Sequence, residues 1–323
     1  QKSRKIVAGH LGIKPSEITF TSGGTEALTT LIRGFYKKIP GSHILSSNVE
    51  HAAVFETLKE LEKEGAKITF LPAEKKGYIS PVQVQEALTP QTKLLILLSV
   101  NNETGIKTDI ASIAKIAADH SIFFIVDAVC HLGKEKISIP QGVSAMAFSA
   151  HKLHGPQGVG AFYLSSFTKI APLFLGGAQE FGKRAGTENV AGIGGFGKAV
   201  ELLSIELPQA THRMEELRNY LEMSLRKIFP SIVVHGEGKR ICNTLQVGFP
   251  GKEGETLLMQ LDLQKVALSH GSACSSGSLE PSRILLNMGV DRSLARGSIR
   301  FSLSRDTTLE EIQQTVNVLK NIL

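Results

Sequence analysis

Seven short apolar runs separated by helical segments constrain this chain more than any other feature. The runs are 18–20, 43–46, 67–71, 93–100, 122–127, 145–149 and 158–164. Between them, Val54, Leu58 and Leu61 share one helical face, and Ile110, Ile113 and Ala117 share another. Strands that are apolar throughout, with helices between them, are buried on both faces, so the pattern predicts a mainly parallel sheet. From about Leu207 the pattern changes. A helix carrying Met214, Leu217, Leu221, Leu225 and Ile228 precedes short strands near 232–234, 244–247 and 298–303. The last helix carries Leu309, Ile312, Val316 and Leu319, with Thr307 and Glu310 expected as its capping box. The fold class expected is therefore α/β: a large, mainly parallel sheet domain over residues 1–206 and a smaller C-terminal α+β domain over residues 207–323. The chain opens at Gln1 inside a helical pattern, so an upstream segment is expected.

Composition excludes some classes. Of 323 residues, 42% are hydrophobic and 20% charged, as in ordinary globular proteins. The longest apolar run, Leu94 to Val100 with Ser99 inside it, is far short of the roughly 20 residues of a membrane span. Three cysteines without regular spacing fit a reducing compartment rather than a disulfide framework, and a cytoplasmic location is expected. The net charge is +6, with lysines scattered in pairs such as Lys37-Lys38 and Lys75-Lys76. That is a solvated surface, and no direct contact with nucleic acid is expected.

Several strand ends carry chemistry. Asp127 closes one apolar run, and Lys152 follows another in Ser149-Ala-His-Lys152. A carboxylate and a lysine so placed suit pyridoxal 5'-phosphate (PLP). The amine can hold the cofactor aldehyde covalently, and the carboxylate can keep the pyridine nitrogen protonated. Thr21-Ser-Gly-Gly-Thr-Glu26 opens a helix. There, Gly24 leaves backbone N–H groups free for an anion and Thr25 adds a hydroxyl; the same residues also cap helices for structural reasons. His51 begins the next helix, where a histidine either caps or acts at the carboxyl ends of the strands. Asn102, in Asn101-Asn-Glu-Thr-Gly105, follows the run ending at Val100 and either turns the chain or binds a ligand.

Two further residues stand in the C-terminal part. Cys274 lies in Ser269-His-Gly-Ser-Ala-Cys-Ser-Ser-Gly-Ser278. This Gly/Ser-rich stretch without periodicity is expected to be a mobile, exposed loop, and Cys274 is a nucleophile candidate. Cys242 reads as packing. Arg300, in a short strand, can grip a carboxylate bidentately or make a surface ion pair. Two motifs read as coincidences. Ser149-x-x-Lys152 lacks the companion motifs of serine acyl-enzymes. Gly192-x-Gly194-x-x-Gly197 has no strand before it and reads as helix–helix packing.

Taken together, these motifs resemble the cysteine desulfurases of the NifS/IscS type, class V of the PLP aminotransferase fold (fold type I). The resemblance runs through Phe20-Thr-Ser-Gly-Gly-Thr-Glu26, Glu50-His51, Asn101-Asn-Glu-Thr-Gly105, Val126-Asp-Ala128, Ser149-Ala-His-Lys152, Gly186-Thr-Glu-Asn189, Asn243-Thr-Leu245, Gly271-Ser-Ala-Cys-Ser275, Ser278-Leu-Glu-Pro-Ser282 and Ile299-Arg-Phe-Ser302. It implies that Lys152 binds the cofactor, Asp127 pairs with its ring nitrogen and His51 stacks on the ring. Thr25, Ser149 and His151 would bind the phosphate, with Thr187 reaching it from a second subunit of a homodimer. Asn102 and Arg300 would hold the substrate carboxylate, and Cys274 would accept sulfur from L-cysteine. The persulfide would then pass to an acceptor or scaffold protein, for Fe–S cluster assembly or tRNA thiolation.

The chain departs from the family pattern at three positions. Cys130 stands where a glutamine usually contacts the ring hydroxyl. Gln157 and Phe181 replace a common lysine and arginine. The family's N-terminal Asn-Ala-Thr-Thr motif is also missing from this sequence. Two alternatives follow: a selenocysteine lyase or another class V enzyme, and a degenerate, non-catalytic homologue that serves as a binding partner.

Overall fold

A computed structural model describes residues 1–271 and 280–323. The residues divide into two units. The first comprises 1–71, 79–100 and 108–207; the second comprises 72–78, 101–107 and 208–323.

The first unit is built on a seven-stranded sheet in the order β1-β7-β6-β5-β4-β2-β3. Its strands are β1 (Ile18–Thr21), β2 (His43–Ser47), β3 (Lys67–Leu71), β4 (Thr92–Leu98), β5 (Phe123–Asp127), β6 (Ala145–Ser149) and β7 (Gly160–Leu164). The neighbours from β3 to β6 run parallel. β7 runs antiparallel to both β6 and β1. The mainly parallel sheet expected from the continuous apolar runs is therefore present, with antiparallel pairing confined to one side.

The helices of this unit are α1 (Lys2–Leu11), α2 (Gly24–Tyr36), α3 (Ala52–Lys63), α4 (Pro81–Ala87) and α5 (Ile110–Asp119). Their starts are set by local chemistry. Ser80 and Gln83 form a reciprocal capping box on α4, with Pro81 at its first position. Asp109 caps α5 by accepting from Ser112 N–H at 3.1 Å. Ala27, Leu28 and Leu31 of α2 and Val54, Leu58 and Leu61 of α3 pack with Ile44, Leu94, Ile96 and Ile125 of the sheet in one buried cluster. Burial of such side chains stabilises by about 1.5–3 kcal/mol each.

The boundary between the units falls at Leu207 and Pro208, inside α6 (Val190–Ile228). The glycines of its first turns allow close packing. A Cβ on Gly197 would lie 2.6 Å from Ser3 Cβ, and one on Gly195 would lie 2.3 Å from Pro156 Cγ. Of the three motif glycines, Gly197 packs against α1, whereas a Cβ on Gly194 would meet nothing within 4 Å.

The second unit holds a three-stranded antiparallel sheet, β10-β9-β8. Its strands are β8 (Val233–Val234), β9 (Thr244–Gly248) and β10 (Ser298–Ser302), and its helices are α7 (Gly254–Leu263), α8 (Arg283–Asn287), α9 (Arg292–Arg296) and α10 (Leu309–Ile322). Leu245, Val247, Ile299 and Phe301 of the strands pack with Leu257, Leu261, Ile312, Val316 and Leu319. The capping box of α10 is Thr308 with Glu311, one residue beyond the expected Thr307 and Glu310. Thr307 does not cap the helix: its hydroxyl accepts from Ser304 N–H at 2.9 Å in the preceding turn.

Candidate active site

In the first unit, the strand ends collect the expected residues. β5 and β6 pair in register, with Asp127 opposite Ala147. Asp127 therefore lies beside the strand that ends at Ser149, and the 3-10 turn Ala150–Leu153 then carries Lys152. The Asp127 backbone carbonyl accepts from both Ser99 N–H (2.9 Å) and Ser99 Oγ (3.1 Å). Its side-chain Oδ1 accepts from Val129 N–H at 2.9 Å. Burial pushes the Asp127 carboxyl above its usual range, and His51, the Val129 N–H and Lys152 pull against that. A buried carboxylate in this position calls for a cation.

His51 caps α3: its Nδ1 accepts from Ala53 N–H at 3.1 Å. The bond fixes Nδ1 as the unprotonated nitrogen and orients the ring. Capping and the electrostatic approach to Asp127 are thus both roles of one side chain. Glu50, buried just before it, takes hydrogen bonds from Ser47 Oγ (2.5 Å) and Leu98 N–H (3.2 Å), which hold the turn between β2 and α3 in place. Nothing local in the sequence marks Glu50 for this role, because Leu98 stands 48 residues away.

α2 begins without a side-chain cap at Gly23. A Cβ added to Gly23 would meet nothing within 4 Å. Thr25 is exposed in the first turn. Uncapped N–H groups facing open space are what an anion needs. The loop before α2 is held by Glu26, which accepts from Ser22 N–H (2.8 Å) and from Arg184 Nε (2.9 Å). At the end of β6, Ser149 Oγ and His151 Nδ1 are hydrogen-bonded at 2.9 Å. Burial, and then the nearby Lys152, lower the His151 pKa. Thr187 is exposed ahead of α6, and among the described residues no hydrogen bond joins it to this group. Cys130 is half-buried three residues beyond Asp127, and Cys242 is buried, as its packing role required. Among the described residues no cluster of His, Cys, Asp or Glu could hold a metal, and no helix is long and apolar enough to cross a membrane.

In the second unit, Arg300 Nη1 donates to the backbone carbonyl of Asn102 at 2.8 Å. The two residues expected to share a ligand are therefore adjacent. Arg300 Nε and Asn102 Oδ1 are buried and have no hydrogen-bond partner among the described residues. Such groups are costly unless a ligand satisfies them. The turn that presents Asn102 is rigid: Asn101 Oδ1 accepts from Glu103 N–H and Thr104 N–H, both at 3.0 Å. Gly105, at φ 73°, approaches so closely that a Cβ would lie 2.8 Å from Thr244 Cβ. Cys274 lies outside the described residues.

PLP fits the residues of the first unit on three observations: a buried acid at the end of β5, a helix N-terminus without a side-chain cap, and a lysine in the turn after the neighbouring strand.

Residues 1–315 match the aminotransferase class-V family model. The chain is 43% identical to the cysteine desulfurase IscS of Dictyoglomus turgidum, covering 100% of this chain and 83% of that protein. It is 41% identical to cysteine desulfurase 2 of Trichormus variabilis, over 100% of this chain and 82% of that one. Among solved structures, a NifS-like protein superposes with a TM-score of 0.92 at 33% identity, covering 99% of this chain and 86% of the other. SspA in complex with cysteine gives 0.82 at 31%, covering 95% and 87%. The expected fold and the resemblance read from the motifs are both met, and the chain belongs to the class-V aminotransferase family.

Proposed function

We propose that this protein is a PLP-dependent cysteine desulfurase that converts L-cysteine to L-alanine and keeps the sulfur as a persulfide on Cys274. The observation that carries this reading is the buried Asp127 carboxylate, one strand away from the turn that bears Lys152. The likeness to proteins named cysteine desulfurase supports it.

When bound, PLP withdraws electrons from the Cα of an attached amino acid. Lys152 would hold the cofactor covalently, and its amine would move the Cα proton of the substrate. Asp127 would pair with the cofactor's ring nitrogen. His51, whose Nδ1 is taken by the Ala53 N–H, would pack against the ring. Gly24, Thr25, Ser149 and His151 hold the phosphate. In the second unit, Arg300 and Asn102, whose Nε and Oδ1 have no partner among the described residues, would hold the substrate carboxylate. The Cys274 thiolate bonds to the substrate sulfur as the substrate's C–S bond breaks. The bonding pair stays on carbon, which takes up a proton and leaves as alanine.

The protein acts as a homodimer in the cytoplasm, with Thr187 serving the phosphate of the second copy. The exposed Phe181 and Val190 on either side of Thr187 support a covered surface there. The persulfide passes to an acceptor or scaffold protein for Fe–S cluster assembly or tRNA thiolation. Product analysis after incubation with L-cysteine, PLP and a thiol tests the reaction class. Alanine and sulfide in equal amounts are expected; pyruvate or a keto acid with ammonia would contradict it.

A further inference from the structure

β9 and β10 pair antiparallel, and successive residues of each strand face opposite sides of the sheet. Leu245, Val247, Ile299 and Phe301 enter the apolar cluster of the second unit. Gln246 and Arg300 therefore stand on the other face, directly across from each other in register. Their backbones bond outward. The Arg300 N–H donates to the Ser269 carbonyl at 2.7 Å, and the Arg300 carbonyl accepts from Ser269 N–H at 3.3 Å. The Gln246 carbonyl accepts from His235 N–H at 3.0 Å. A pair without backbone bonds between its members is the closer kind in an antiparallel ladder, with Cα atoms about 4.5 Å apart and side chains side by side.

Gln246 is fully buried, at 0% exposure. Yet neither the oxygen nor the nitrogen of its side-chain amide has a hydrogen-bond partner among the described residues. Arg300 Nε and Asn102 Oδ1 share that condition. Since Arg300 Nη1 also reaches the Asn102 carbonyl at 2.8 Å, three residues with unmet hydrogen-bonding capacity adjoin one another. The buried acid acting on Arg300 is Glu103, and its Oε2 is engaged by Ser282 Oγ. A buried amide that bonds to nothing is costly, and an apolar side chain of the same shape would be free of that cost. Packing alone therefore gives no reason for a glutamine at this point of β9. An amide donor beside a guanidinium suits a group that only accepts, and a carboxylate is such a group.

We propose that Gln246 is a further binding residue for the substrate's carboxylate, donating from its side-chain amide alongside Arg300. The proposal rests on the reading that Arg300 meets that carboxylate. Gln246 thereby helps select an amino acid over an amine that lacks the carboxyl group.

The test uses the PLP-loaded full chain and two amines, L-cysteine and 2-aminoethanethiol, which differ only in the carboxylate. The cofactor's absorbance change on adding each amine reports its capture. In Gln246→Met, which keeps the shape and removes the amide, the L-cysteine concentration for half-maximal change is expected to rise about tenfold or more, the scale for losing a hydrogen bond to a charged group. The value for 2-aminoethanethiol stays within about twofold, because that amine never used the bond. A parallel rise for both amines would show a merely structural role and overturn the proposal. Unchanged capture of L-cysteine, as for an amide that serves only a buried water, overturns it too. If Gln246→Met fails to fold, Gln246→Glu carries the test: its added charge weakens L-cysteine and spares 2-aminoethanethiol, and an equal effect on both overturns the proposal. A wild-type chain that responds to neither amine overturns the PLP reading and this one together. A wild type that captures both amines equally well overturns the carboxylate site at Arg300 and this proposal with it. A wild type that prefers L-cysteine, with Gln246→Met unaffected, sinks only the role of Gln246.

Discussion

Asp127 Oδ1 accepts the Val129 N–H at 2.9 Å, and that bond fixes the carboxylate at the end of β5 without neutralising it. Burial alone would drive the group toward its protonated form; His51 and Lys152 lie close enough to oppose this. Asp127→Asn keeps an acceptor for Val129 and removes only the charge. Bound PLP is expected to persist while kcat falls about a hundredfold or more, the scale of one preorganised group in a dry site. Cofactor content and alanine release measure the two effects, and a variant of near-normal turnover would show that the charge is not used.

Lys152 follows the strand paired with β5, in a short 3-10 turn. The purified protein should be yellow, and Lys152→Ala should lose the colour that borohydride otherwise traps on the chain. A borohydride-stable adduct remaining in Lys152→Ala would place the attachment elsewhere.

Cys130 occupies the position where a glutamine was expected to contact the ring hydroxyl. A thiol is a weak donor, and one neutral hydrogen bond is worth about 0.5–1.5 kcal/mol net. Cys130→Gln should therefore raise PLP affinity or turnover by up to about tenfold and shift the cofactor absorption band. Restoration of an inactive chain by several orders of magnitude would favour a degenerate homologue instead.

His235 gives the second unit a pH dependence. It is buried, and burial with the neighbouring Arg240 lowers its pKa to about 4. The neutral ring is hydrogen-bonded to Ser298 Oγ at 2.8 Å, and Ser298 Oγ donates onward to Leu294 O at 2.7 Å. The unfolded chain takes up a proton near pH 6.5, before the folded one does. Stability from this site is therefore complete above about pH 6.5 and is lost as pH falls toward 4, by up to about 3 kcal/mol. Denaturant unfolding of the wild type and His235→Gln across that range checks it: the variant should show the shallower slope. Equal slopes would contradict the assignment.

Much of this was legible in the sequence because its signals are local. β4 and β5 are largely apolar, so their existence was legible, although β4 ends at Leu98, short of the expected Val100, and the ends of β5 and β6 marked Asp127 and Lys152 as chemistry. The α10 cap was displaced by one residue because Thr307 and Thr308, and Glu310 and Glu311, offer the same motif twice. Only the geometry of the turn at Ser304 separates them. The hydrogen bond from Ser282 to Glu103 was not legible: the two stand 179 residues apart, and no periodicity links them. The same holds for the bond from Arg300 to the Asn102 backbone carbonyl, although the two residues were expected at one ligand, and for the Glu26–Arg184 pair that steadies the loop before α2.

The most direct test of the whole account is single-turnover exposure of the PLP-loaded chain to L-cysteine, with alanine quantified and the protein's cysteines mapped by mass spectrometry. The account predicts one alanine for each added sulfur, with that sulfur on Cys274 and none on Cys130 or Cys242. It also predicts neither product in Lys152→Ala. Alanine without a persulfide, a persulfide confined to Cys130, or unchanged products in Lys152→Ala would contradict it.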